Sequence, residues 1–300
     1  MKGIFSARAR LTYIYKRFEG FFRIFFKFAV GLYLFSSIRN MIGSTDAALF
    51  PVVILAALFA VLPSVSAYFV ISLYVTVLMS AHIELSALVF IIQICVILFY
   101  IRLAPVESYL IIAALLGYAL GVPYAVPIIA GLYFGVTAVF PVVIGVLIHS
   151  FAPLFFSLSQ TATSGGDIQK LPDTISPLIS QFNLMLSQNG AAFLEAFVLM
   201  AVVAAVHIIS RTDMDFAKEI SIAFGGLLCF LGFAALNFAA GENFPLIIVF
   251  IKVLLSVILV YIIKFFDLAL DYKRAEYVEF TDEHYYYYVK IIPKLSPKKR

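Results

Sequence analysis

Apolar residues in this chain come in long unbroken runs, not in alternation. Runs near 47–63, 65–83, 85–101, 106–122 and 124–139 follow one another closely, and a further one covers 140–159. Three cleaner runs come later, at 191–210, 216–240 and 245–266. Alternation would mark strands with one wet face, whereas continuous runs of this length mark helices that are apolar all round. A helix needs about 20 residues to cross a bilayer, so the later three are predicted to span. Polar residues collect in three places: 1–39, 160–190 and 267–300.

Each polar region has its own pattern. In 1–39, Lys16, Glu19, Gly20, Arg23 and Lys27 fall on one helical face, and Ile14, Phe18, Phe21, Phe22, Phe25, Phe28 and Ala29 on the other. A basic stripe opposite an aromatic face predicts a helix lying in the membrane plane, with Lys16, Arg23 and Lys27 facing anionic headgroups. Region 160–190 is rich in Ser, Thr, Gly and Pro and predicts a loop, with one short amphipathic helix over 175–186. In the tail, "EYVEF" alternates, "TDEH" is turn-like, and "YYYYVKII" is rich in strand formers. A small β-hairpin at about 276–292 follows. An isolated hairpin is marginal in water, so it calls for a second copy, the amphipathic N-terminal helix, a separate protein or the headgroup layer.

Composition fixes the solvent. Of 300 residues, 63% are hydrophobic and 13% charged, where soluble domains carry about 25% charged residues. So much apolar surface can be covered only by lipid. Lipid in turn demands that every backbone group be paired within the chain. The expected fold is therefore an all-α polytopic membrane protein with a small soluble hairpin. The two cysteines, Cys95 and Cys229, lie inside apolar runs and indicate no disulfide framework.

Lysine and arginine placement orients the segments. Arg211 and Lys218 lie between two of the later runs, and the tail carries Lys273, Arg274, Lys290, Lys294, Lys298, Lys299 and Arg300. Both termini are expected inside and loop 160–190 outside. An odd number of crossings must then precede 160, while six apolar segments are present. One of them fails to cross, giving about eight spanning helices plus one re-entrant or broken segment. The suspects are 47–63 and 140–159, each beginning and ending near a proline. Both contain "FPVVI", at Phe50–Ile54 and Phe140–Ile144, with a second proline twelve residues after the first in each copy (Pro63 after Pro51, Pro153 after Pro141). An internal repeat of this kind is one mark of a transporter fold.

Charged and polar groups inside spans are costly and read first as functional. Glu195 and Lys252 sit roughly 6 and 10 Å into their spans from the same face, at 1.5 Å per residue. Two readings stay open for them: an ion pair joining two helices, or a substrate or proton site. His149 lies near the middle of its segment, as either a core hydrogen-bonding residue or a proton relay. The candidate substrate or ion path is thus Glu195, Lys252, His149, Pro51 and Pro141. Gln93, Asn237 and Glu84 are candidate interhelical polar contacts. Gly117–Gly121 and Gly131–Gly135 have GxxxG spacing, which allows close helix approach. Enzyme signatures are missing from the sequence. The histidines are scattered without metal-ligand spacing, and no basic groove calls for nucleic acid. No enzyme activity, cofactor or metal is expected.

"RLAPVESY", "VPYAVPIIAGL" and "DEHYYYYVKIIPK" resemble segments of a group of bacterial polytopic membrane proteins without a characterised activity. The resemblance spans most of 50–295 and implies a bacterial inner-membrane setting. The expected function is that of a permease or channel component without its own ATPase. The alternative is a membrane-embedded scaffold docking partners through the N-terminal helix and the tail hairpin.

Overall fold

The computed structural model describes residues 15, 17–42, 49–78, 83–98, 106–161, 180, 190–239, 245–266, 276–282 and 284–291. Among these, ten α-helices precede a two-stranded sheet: α1 Glu19–Ile42, α2 Leu49–Val61, α3 Ser64–Leu78, α4 Ile83–Val96, α5 Tyr109–Ala119, α6 Ala125–Tyr133, α7 Val139–Thr161, α8 Gly190–Ser210, α9 Ala217–Ala239 and α10 Leu246–Phe265, then β1 Glu276–Thr281 and β2 Tyr286–Ile291. A 3-10 turn at Val136–Ala138 leads into α7. Lys16, most of 160–190 and the side chain of Glu84 lie outside the described residues.

Four helical stretches are long and apolar enough to cross a membrane: Glu19–Asn40, Gly190–Ser210, Ala217–Phe238 and Leu246–Phe265. The last three match the runs at 191–210, 216–240 and 245–266. The expectation of about eight spanning helices is not supported: Pro63 and the turn at Gly121–Pro123 cut early runs short, and α3 and α4 are described only over short stretches. α2, α3 and α4 have 13, 15 and 14 residues, and α5 and α6 only 11 and 9.

The N-terminal helix also differs from expectation. Its charges are confined to the first turns and Arg39, while 28–38 is uncharged, so its length and hydropathy suit a span. It pairs antiparallel with α2. Phe35 is fully buried and meets Phe59 and Tyr74 edge-on, at ring-centroid distances of 6.3 and 5.2 Å. Arg23 pairs with Glu19 at 2.5 Å on the exposed surface. Lys27 turns toward protein and not lipid. Its Nζ donates to the Leu62 carbonyl oxygen at 3.4 Å and lies 5.7 Å from the Tyr109 ring centroid. That carbonyl lies at the C-terminus of α2, where helix carbonyls lack partners and a cation is favoured.

The two FPVVI copies are both helix starts. Pro51 and Pro141 each occupy the third position of a helix, where a missing N–H costs nothing. The following valines, Val52 and Val142, are 2% and 1% exposed, while Phe50 and Phe140 are 72% and 63% exposed. The later prolines part ways: Pro63 separates α2 from α3, whereas α7 continues through Pro153.

Residues 106–138 are broken into two short helices joined by a reversal. α5 ends in a Schellman motif: Val122 N–H donates to Gly117 O at 2.8 Å and Gly121 N–H to Tyr118 O at 3.2 Å, with Gly121 at φ 74°. Pro123 follows and the chain reverses into α6. The hairpin closes at its open end, where Thr137 Oγ1 donates to Glu107 Oε1 at 2.8 Å. At 1.5 Å per residue, α5 is ~16 Å long, about half a hydrocarbon core.

This hairpin is enclosed. α6 lies parallel to α8, so close that a Cβ on Gly131 would stand 2.6 Å from Val203 O. On the other arm, a Cβ on Gly145 of α7 would stand 2.6 Å from Ala114 Cβ of α5. α8, α9 and α10 pack as an antiparallel series, fixed by Val206 against Gly225, Val198 against Gly232 and Val257 against Gly226. Leu199, Val202, Val203, Val206 and Val260 are fully buried there. The GxxxG pairs do not act as pairs. Gly117 and Gly131 permit close approach, whereas Gly121 and Gly135 (φ 114°) supply positive φ in turns.

The tail hairpin forms as expected. Glu276 pairs with Ile291 and Thr281 with Tyr286. The loop is Asp282–Tyr285, one residue later than "TDEH", closed by Asp282 N–H donating to Tyr285 O at 2.8 Å.

Candidate functional site

The reversal between α5 and α6 carries two tyrosines into the helix bundle. Tyr118 is on the last turn of α5, and Tyr124 caps α6. The Tyr118 hydroxyl donates to Glu195 Oε1 of α8 at 2.5 Å. Its ring stacks on His149 of α7, with centroids 4.1 Å apart and planes at 20°. Tyr124 is buried and meets Phe233 of α9 edge-on at 4.9 Å. The buried Cys229 of α9 lies within electrostatic reach of both phenols. Lys252 of α10 lies within electrostatic reach of Glu195 and His149. Five helices and one turn thus converge on a carboxylate, two phenols, an imidazole, a thiol and an ammonium.

Local sequence explains the placement. Glu195 is five residues past Gly190, so roughly 8 Å from the end of α8, and Lys252 is six past Leu246, roughly 9 Å along α10. α8 and α10 both run antiparallel to α9, which brings these depths to one level. The Schellman turn stops α5 at that level, so the Tyr118 ring arrives beside α8 instead of passing beyond it.

Three of the five residues expected on a substrate or ion path are therefore brought together: Glu195, Lys252 and His149. Glu195 and Lys252 do not meet as an ion pair: among the described residues none joins them, and the hydrogen-bond partner of the carboxylate is Tyr118. Pro51 and Pro141 are elsewhere, as helix starts in different parts of the bundle. Sequence reading missed Tyr118, Tyr124 and Cys229. The signal was there in "GYALGVPYAVP", where two tyrosines flank a glycine–proline reversal inside an apolar run.

The other candidates are structural. Ser72 Oγ donates to Gln93 Oε1 at 2.7 Å between α3 and α4. Asn237 is half-buried near the end of α9. His207 Nδ1 lies 3.3 Å from Gly131 O, beside α6.

A carboxylate accepting from a phenol in an apolar bundle can change charge by one proton, which turns a charge-assisted hydrogen bond into a weaker neutral one. Among the described residues no group of three or more His, Cys, Asp or Glu side chains is placed to hold a metal ion. No protein-family model matches this chain, and no curated protein or solved structure matches it either.

Proposed function

We propose that the protein is a transporter-like integral membrane protein, a permease or channel component without its own ATPase. The observation that carries this reading is the Tyr118–Glu195 contact at the tip of a half-length helical hairpin. Broken helices meeting polar groups at membrane depth are the common architecture of substrate and ion sites in secondary transporters. A bundle needing only stability has no use for a buried acid there, since apolar packing of the same volume does as well or better.

The topology that goes with this reading has eight crossings and one re-entrant hairpin at 106–138, with both termini cytoplasmic in a plasma (inner) membrane. Support comes from helix directions and charge. Glu107 and Thr137 bond to each other, so the hairpin leaves and returns at one face. Lys218 lies over the Tyr133 ring at 5.7 Å, which puts that face with the basic turn between α8 and α9. The short helices α2–α4 cross by local bilayer thinning.

The test is substrate-dependent stabilisation. The purified chain is heated with a panel of small metabolites and ions, and hits are assayed for flux in proteoliposomes. Stabilisation by at least one compound, retained on deleting 272–300 and lost in Glu195→Gln, is expected. A panel that stabilises nothing, with no flux above empty vesicles, overturns the reading. The second reading is a membrane-embedded scaffold, favoured by the tail hairpin: among the described residues its two strands pair only with each other, and the hairpin exposes Phe280, Tyr285, Tyr286 and Ile291. Loss of co-purifying proteins on deleting 272–300, with the helical bundle still folded, would support the scaffold instead.

A further inference from the structure

We infer that the ligand of the Glu195 site is a proton, and that its binding releases the tip of the α5–α6 hairpin from α8. This inference rests on the transporter reading for its use, though not for its test.

The donor set suits a proton. The Glu195 carboxylate accepts from the Tyr118 hydroxyl, the Tyr118 ring stacks on the His149 imidazole, and Tyr124 and the Lys252 ammonium lie within electrostatic reach of the carboxylate. A hard cation wants several converging oxygens, most of them charged or carbonyl. Among the described residues Glu195 is the one acidic group here, and the Lys252 ammonium would repel a second cation. A proton needs a single lone pair.

The hydrogen-bond polarity makes the contact a switch. As a carboxylate, Glu195 only accepts, and Tyr118 O–H is a matched donor. When Glu195 takes one proton from water, its negative charge is lost and the carboxyl group becomes a donor itself. The Tyr118 proton stays on Tyr118, but its charge-assisted bond is replaced by a weaker neutral one. Tyr118 is on the last turn before the Schellman reversal, so this bond ties the tip to α8. Only the outer edge of the tip is open, since Pro123 and Tyr124 behind it are buried. Leu120 is 68% exposed, and a Cβ on Gly121 would meet nothing within 4 Å.

The experiment reads the tip without any substrate. Leu120→Cys in a Cys95→Ser background, with Cys229 buried, carries an environment-sensitive fluorophore in full-length protein in nanodiscs. Emission is followed from pH ~4 to ~9, a range that brackets carboxyl and imidazole titration. A single sigmoidal transition is expected, lost in Glu195→Gln and kept in His149→Gln. Tyr118→Phe removes the tie itself and should abolish the transition as well. An unchanged transition in Glu195→Gln overturns the inference, and so does its loss in His149→Gln. Should Glu195→Gln fail to fold, Tyr118→Phe decides alone, since a transition that persists there overturns the inference. A flat trace from the unsubstituted site overturns the proton site and leaves the transport reading standing. Absence of flux or stabilisation overturns transport and leaves the titration intact.

Discussion

The hydroxyl of Tyr118 on α5 donates to Glu195 Oε1 on α8 at 2.5 Å, joining a helix that stops half-way through the bundle to one that runs its full length. The bond is part-buried, so breaking it from either side leaves a group without its partner. Tyr118→Phe and Glu195→Gln should each destabilise the folded protein by about 1–3 kcal/mol. The double variant should cost less than the sum, because the second substitution removes a group already orphaned. Reversible denaturant unfolding in mixed micelles measures the cycle. Simple additivity would mean that the two side chains do not act on each other.

Two glycines set how closely the hairpin is clasped. A Cβ on Gly131 would come within 2.6 Å of a backbone oxygen of α8, which cannot rotate away, and one on Gly145 would meet Ala114 Cβ at 2.6 Å. Gly131→Ala and Gly145→Ala should each cost about 1–3 kcal/mol by overpacking. Gly20 has nothing within 4 Å of its virtual Cβ and stands in a helix. Gly20→Ala should therefore be neutral or stabilise by up to about 1 kcal/mol. Melting temperatures of the three variants test this ordering.

How far the fold was legible depended on what cut each apolar run. The runs at 191–210, 216–240 and 245–266 contain no internal proline, Pro245 only opening the last, so their lengths were close to the lengths of the helices. The tail was legible because alternation and a turn signal coincide within a few residues. Early runs misled because apolar character continues through helix ends: Pro63, Gly121 and Gly135 break the backbone without breaking the hydropathy. Of the site, Glu195, His149 and Lys252 stood out as charged or titratable groups in apolar sequence. Tyr118 and Tyr124 did not, since a tyrosine in a membrane run is ordinary until a turn brings it against an acid. That adjacency joins residues 77 apart in sequence, and no periodicity encodes it.

Lys27 and Arg23 share a helix face in sequence but not a role. Lys27 reaches the Leu62 carbonyl oxygen and the Tyr109 ring, whereas the Arg23 side chain is 64% exposed and pairs one turn back with Glu19. Lys27→Met keeps the aliphatic stem and removes the charge, so it should cost about 1 kcal/mol through the lost helix-end and ring contacts. Arg23→Gln should change stability by less than about 0.5 kcal/mol. Unfolding midpoints at low and high salt separate them, because screening should erase the small Arg23 effect first.

The tail hairpin carries its own pH response. Tyr286 donates its phenolic proton to Glu279 Oε2 at 2.6 Å, diagonally across the two strands. The bond exists only while the phenol is protonated, so it raises the ionisation of Tyr286 above its ordinary value of 10.0, with desolvation a lesser cause. A raised value in the folded state means that the contact is complete below about pH 10 and is lost as pH climbs through the folded value. Strand pairing should therefore be insensitive to pH across the neutral range and should loosen only in alkali. Glu279→Val removes the acceptor while keeping a strand-forming side chain, and it should bring the Tyr286 titration back toward the ordinary value. The ring carbon resonance next to the phenol oxygen, assigned with Tyr286→Phe, reports the midpoint directly. An unchanged midpoint in Glu279→Val would show that the carboxylate does not hold the phenol.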